Sequence, residues 1–232
     1  MTMNRREYLQ TAERLRNGET VEWTPEQAAA YIQAETRERI REGLAVARRE
    51  PQPLDAETLE RLLIRYGGNF GIWPLFVEVL RNCRVTPAAF SSGLADAYTM
   101  GHADRETALT CFGMAKPSDV MNADDLAVFR SFRYPLRLYR GCGTDEHERG
   151  VYGLSWTTDR DVAEFFAWRF DPDATDRVVV TTQVERFDVH AYINTRNERE
   201  VIADVSEAAN CSVQVAATEP TAAFRERMKR PK

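Results

Sequence analysis

"PLRLYRGCG" (135–143), "GLSWTTDRDVAEFF" (153–166) and "RNEREVI" (196–202) are the three stretches whose reading decides the fold. The first alternates apolar and polar residues, so Leu136, Leu138 and Arg140 share one face of a strand. A guanidinium at the end of that face needs an anion, and a phosphate or carboxylate matches its fork. The segment alone leaves open whether a structural carboxylate or an external ligand supplies it. Gly141 and Gly143 permit unusual backbone angles and close approach of a ligand to the main chain.

In the second stretch, Ser155 and Thr157 lie on one face of a short strand and Trp156 on the other. The chain then runs straight into a helix, where Thr158 and Asp161 stand at capping-box spacing, with Asp in place of Glu. The hydroxyl of Ser155 caps that helix, orients a neighbouring carboxylate or binds a sugar hydroxyl. The third stretch sets Glu198 and Glu200 on one face where a strand begins, with the apolar Val201 and Ile202 directly after. Like charges that close raise at least one pKa unless water or a cation separates them.

Outward from these stretches the chain changes character near Arg133–Pro135. Before it, helices are expected. Thr24 caps a helix with Pro25 in its first turn and Ile32, Ile40, Leu44 and Ala47 on one face. Asp55 caps another, carrying Leu59, Leu62, Leu63 and Tyr66. "YGGNFGIWP" (66–74) reads as a turn or loop, and a helix is expected from Pro74. Thr86-Pro87, Asp104 and Asn122 mark three further starts. After the change, "RVVVTTQV" (177–184), "EVIADV" (200–205) and "CSVQVAA" (211–217) are short and β-branched. The expected class is α+β, with a helical region over 1–132 and an α+β region over 133–232.

Composition narrows the function classes. At 232 residues, 43% hydrophobic and 29% charged, the chain is long enough for a proper core and ordinary for a globular protein. A net charge of −5 argues against a dedicated nucleic-acid binder, which carries a basic face. No run of about 18 apolar residues is present, so no membrane span is expected. The opening residues lack an apolar signal-peptide core, and Cys83, Cys111, Cys142 and Cys211 are scattered, as in a reduced, cytoplasmic protein. His102, His147 and His190 are scattered too, giving a metal site no support.

Taken in order, an arginine ending a first strand, Ser-x-Thr leading into a helix, and Glu-x-Glu opening a later strand resemble the ADP-ribosyltransferase fold. The resemblance is to its Arg–Ser–Glu, cholera-toxin-like class and covers about 136–217, roughly a third of the chain; it implies a split antiparallel or mixed sheet. It further implies NAD as co-substrate and an unidentified protein target. Arg140 would engage the phosphate and ribose region. Gly141 would present its backbone to the nicotinamide amide and clear room for the ring. Ser155 would orient the catalytic Glu200, which binds the 2′-hydroxyl of the nicotinamide ribose. Glu198 would activate the acceptor, typically an arginine. Thr157 completes the middle motif, which reads Ser-Trp-Thr where the family often has Ser-Thr-Ser. Tyr152, Trp156 and Phe170 are candidates to stack on nicotinamide, although alternation turns Trp156 away from the cleft. Arginine at the first position, where histidine would mark the diphtheria-toxin-like branch, argues against that branch.

The implied activity is mono-ADP-ribosylation of a protein side chain by an intracellular effector of phage or toxin type. Other readings stand beside it. A glycohydrolase would need Glu200 but not Glu198, a transferase could instead modify a nucleic-acid base or a small molecule, and a non-catalytic binding protein would keep the fold as a scaffold, with the helical region making contacts.

Overall fold

The computed structural model describes residues 2–101, 103–169, 177–194, 196–205 and 212–215. The fold is α+β. The chain divides into two compact units, Met1–Asp104 and Arg105–Lys232. The helices after Asp104 therefore belong to the same unit as the sheet, whereas the composition change falls later, near Arg133.

The first unit is helical. Helix α1 (Arg5–Arg16) opens on a capping box between Asn4 and Glu7, and α2 (Pro25–Ala47) on one between Thr24 and Gln27. The buried seam of α2 keeps Ala47 of the expected face but otherwise runs along different residues, Glu38 among them. Ala30, Ala34, Gly43 and Ala47 are covered, while Ile32 stays 43% exposed. Small residues win that face because they let neighbouring helices approach closely. Asp55 caps α3 (Ala56–Leu62), accepting from Thr58 N at 2.8 Å.

A π-helical turn (Leu63–Gly67) then leads into α4 (Gly68–Asn82), so the stretch expected as a loop is helical, and Pro74 lies inside the helix. Its glycines serve close packing instead. A Cβ on Gly71 would sit 3.3 Å from Thr36 Cγ2 of α2. Only Gly68, at φ +58°, needs the left-handed region, and it marks the restart of the helix. Helix α5 (Pro87–Met100) is capped by Thr86, as expected. Leu59, Leu63, Leu75, Phe76, Val79 and Leu94 form the centre of this unit, each at most 1% exposed.

The second unit begins with α6 (Arg105–Met114), α7 (Pro117–Val120) and α8 (Ala123–Ser131). Asn122 caps α8, and Asp124 and Asp125 lie in its first turn. Strand β1 (Leu136–Gly143) follows, then α9 (Thr144–Arg149), β2 (Ser155–Thr157), α10 (Arg160–Arg169) and β3 (Arg177–Val184). The last strands are β4 (Val189–Ile193), β5 (Glu200–Ala203) and β6 (Ser212–Val215). They form one six-stranded sheet in the order β4-β5-β2-β1-β3-β6, with every pairing antiparallel.

The cap of α10 is Asp159 rather than Thr158. Its Oδ1 accepts from Asp161 N at 3.0 Å, and its carbonyl accepts from Ala163 N. Helix α10 packs on β1 and β3 through Ala163 and Ala167 against Val179. On the other side of the sheet order, Tyr192 of β4 meets Phe132 edge-on at 5.5 Å, and Asp125 accepts from Asn194 N. None of the described helices is long and apolar enough to cross a membrane.

Candidate functional site

The register of the sheet assembles the three motif segments. Ile193 opposes Glu200, Glu200 opposes Thr157, and Thr157 opposes Tyr139, giving one row across four strands. Ser155, two residues before Thr157, lies on the same face, and its Oγ donates to Glu200 Oε1 at 2.5 Å. Strand β2 thus brings a hydroxyl to a carboxylate forty-five residues along the chain. Ser155 therefore bonds the carboxylate rather than capping the helix, whose cap is Asp159.

Glu200 is only 5% exposed. Burial pushes its carboxyl pKa up, opposed by the Ser155 hydrogen bond and the guanidinium charges of Arg196 and Arg140. Glu198 is also buried, at 7% exposure. Asn197 at φ 59° and Arg199 at φ 48° take the left-handed region on either side of it. The segment before β5 is therefore a shaped turn rather than a continued strand. Asn194 closes the turn, its side-chain oxygen accepting from Arg199 N at 2.9 Å and its carbonyl from Asn197 N at 2.9 Å. Thr157 Oγ1 donates to the Glu198 carbonyl at 2.9 Å and accepts from Asp159 N at 3.1 Å. The Thr157 hydroxyl thus ties this turn to β2 and to the start of α10, while the residue itself lines the cleft.

Arg140 is not bare. Its Nε donates to Glu146 Oε1 at 2.8 Å and its Nη1 to the Ser155 carbonyl at 2.6 Å. Glu146 comes from α9, an element too short to carry a visible helical period. A Cβ on Gly153 would sit 3.1 Å from Arg140 Nη2, so the guanidinium lies close against that backbone. The structural-carboxylate reading of Arg140 therefore holds in this state.

Gly141 also has a different reason to be glycine. A Cβ there would meet the Ala163 carbonyl oxygen at 1.9 Å and Ala167 N at 2.5 Å. The space is filled by the backbone of α10, which is what the missing side chain accommodates; no room for a ring is left on that side.

Arg140, Gly141, Ser155, Thr157, Glu198 and Glu200 line one cleft of about 330 Å³, together with Phe166, Arg177, Arg196 and Glu146. Tyr152 is not among the described lining residues. Its hydroxyl lies 2.5 Å from His147 Nδ1 and its ring stands edge-on to Trp156. Trp156 is 2% exposed with its indole N–H donated to the Gly153 carbonyl. Its ring is buried, as alternation predicts, yet the residue is one of those that line the cleft. Phe170, and the 170–176 run beside it, lie outside the described residues. Phe166 of α10 is an aromatic lining residue that the motif reading passed over. Its signal was the i, i+3, i+4 pattern of Ala163, Phe166 and Ala167.

Cys142 lines the cleft as well, but burial pushes its thiol pKa up to about 11, so it stays protonated at neutral pH. Cys83, Cys111 and Cys142 form no disulfide. Among the described residues, no group of three or more His, Cys, Asp and Glu side chains could hold a metal ion.

Chemically, the cleft sets a hydroxyl-bonded buried carboxylate beside a second one, with guanidiniums from β1, β3 and the turn before β5 around them. No family model matches this chain, and neither a curated protein nor a solved structure matches it.

Proposed function

We propose that this protein cleaves the nicotinamide–ribose bond of NAD and transfers ADP-ribose to a protein side chain. The proposal includes the finer reading of the fold, in which the six-stranded sheet with α10 on β1 and β3 is an ADP-ribosyltransferase-like core. The observation that carries it is the Ser155 Oγ–Glu200 Oε1 hydrogen bond at 2.5 Å, made in a cleft that also holds Arg140 and Glu198. A serine, a glutamate, an arginine and a second glutamate from three separate strand segments converge there.

The donor set suits a dinucleotide. Arg140 and Arg177, from neighbouring strands, offer guanidiniums to a pyrophosphate, and Phe166 offers a ring face. Glu146 must release Arg140 for the phosphate to take its place. Glu200 is the catalytic residue: a carboxylate in a dry site stabilises the positive charge that builds on the ribose as nicotinamide leaves. Ser155 holds that carboxylate in position. Thr157 and Trp156 hold the turn and strand in place at the wall of the cleft. In the transfer, the ribose–nicotinamide bond breaks, a ribose–acceptor bond forms, and Glu198 receives the acceptor's proton.

Hydrolysis is the second reading, and one observation favours it. Glu198 is already engaged by the chain's own guanidiniums, with Arg196 Nη2 at 2.8 Å and Arg169 Nη1 at 3.7 Å. An arginine acceptor would have to displace them, whereas water would not. Incubation with NAD labelled in the adenylate half, with and without a host-type lysate, separates the readings. Labelled protein from wild type but not from Glu200→Gln supports transfer. Nicotinamide release without labelled protein supports hydrolysis. Neither from wild type overturns the NAD reading and leaves a binding scaffold.

A further inference from the structure

Two carboxylates buried two residues apart would repel each other strongly if nothing stood between them. Arg196 stands there. Its Nη2 lies 2.8 Å from Glu198 Oε2 and 3.5 Å from Glu200 Oε2, so a single guanidinium nitrogen serves both acids. We infer that Arg196 is the shared counter-ion of this pair and the positioning residue that fixes both carboxylates in the cleft.

The arrangement is built rather than incidental. Arg196 side-chain exposure is 27%, against 9% and 6% for the two acid side chains, so the guanidinium seals them from water. The same turn that carries Arg196 is closed by Asn194 and tied to β2 through Thr157. Its two left-handed residues, Asn197 and Arg199, bracket Glu198. Arg199 leaves the cleft and bonds Asp159 at 3.2 Å, so it does not substitute for Arg196.

The other groups facing the pair differ in reach. From β1, Arg140 acts on Glu200 by charge, but its hydrogen bonds go to Glu146 of α9 and the Ser155 carbonyl. From α10, Arg169 lies 3.7 Å from Glu198. From β2, Ser155 donates to Glu200 without charge. Arg177 of β3 lines the cleft. Among the described ion pairs, only those of Arg196 reach both acids.

Full-length wild type, Arg196→Gln and Arg196→Lys test this by side-chain carboxyl NMR, with Glu200→Gln assigning the Glu200 signal. Loss of the counter-ion raises the Glu200 titration midpoint in Arg196→Gln, and the compact ammonium of Arg196→Lys gives an intermediate value. An unchanged midpoint in a folded variant overturns the inference. Should Arg196→Gln fail to fold, Arg196→Lys alone decides, since its midpoint must still lie above that of wild type.

The activity arm rests on the reading of the cleft under Proposed function. There the acidic limb of nicotinamide release moves to higher pH with the NMR midpoint, and turnover at neutral pH falls about 10- to 100-fold in Arg196→Gln. Lysine restores part of it. Wild type that releases no nicotinamide refutes the NAD reading, while the titration still decides the role of Arg196.

Discussion

Gly141→Ala separates two explanations of the same glycine. If Gly141 is bare to make room for a ligand, an added methyl costs binding and leaves the free protein unharmed. The structure makes the opposite demand. The new Cβ would lie 1.9 Å from the Ala163 carbonyl oxygen and 2.5 Å from Ala167 N, both backbone atoms of α10. Neither can rotate away. Helix α10 would have to retreat by about 1 Å, opening the contact of Ala163 and Ala167 with Val179. Overpacking of this kind costs about 2 kcal/mol, or a fall of roughly 4–8 °C in Tm for a protein of this size. The assay is thermal unfolding of the ligand-free protein followed by circular dichroism, beside Gly113→Ala. Gly113 sits in α6 with nothing within 4 Å of an added Cβ, so its alanine variant should match wild type or unfold slightly higher. A Gly141→Ala protein as stable as wild type would refute the packing account and return the glycine to the ligand.

Ser155→Ala removes the hydroxyl bonded to Glu200; turnover should drop about 10- to 100-fold, the loss of one hydrogen bond to a charged acceptor, and an unaltered rate of nicotinamide release would remove Ser155 from the mechanism. Glu200→Gln should abolish activity yet raise Tm near neutral pH, because burial disfavours the charged form of the wild-type carboxyl more than its partners favour it. The sign follows from burial: because it raises the folded-state pKa, the wild-type carboxyl favours folding below its unfolded pKa and loses that contribution as pH rises through the folded value. The variant's advantage in Tm must therefore shrink on acidification, and an advantage that grows instead contradicts the reading. Glu146→Ala frees Arg140 of its partner; calorimetry should find ADP-ribose bound about tenfold more tightly, and weaker binding would mean that Glu146 supports the anion site rather than competes for it.

Helix starts were legible wherever one residue both caps and begins a periodic run. Thr24, Asp55, Thr86 and Asn122 all cap as expected, because capping is a local hydrogen bond between residues three apart. Strand β3 coincides with "RVVVTTQV", since a β-branched run of that length suits little else. Reading broke down where a glycine or a short element owed its place to a distant partner. The 66–74 run looked like a loop because its glycines are breakers in isolation, yet α2 packs close to Gly71 within a helix. The six residues of α9 span too few turns to show a period.

At the site, the order and spacing along the chain determined which residues could meet: Arg140 on a first strand, Ser155 and Thr157 on one face, Glu198 and Glu200 two residues apart. The expected end of that strand at Arg140 was wrong: pairing with β3 carries β1 on through Gly141 and Cys142 to Gly143, so Arg140 lies inside it. Alternation is a property of the backbone, so it is written in the sequence. Which partner each side chain takes was decided only by the tertiary structure. It gave Arg140 to Glu146, Thr157 to the Glu198 carbonyl, Tyr152 to His147, and one guanidinium of Arg196 to both acids. Charges and hydroxyls bond at a few ångströms in space, and strand pairing, not sequence distance, sets which of them come that close.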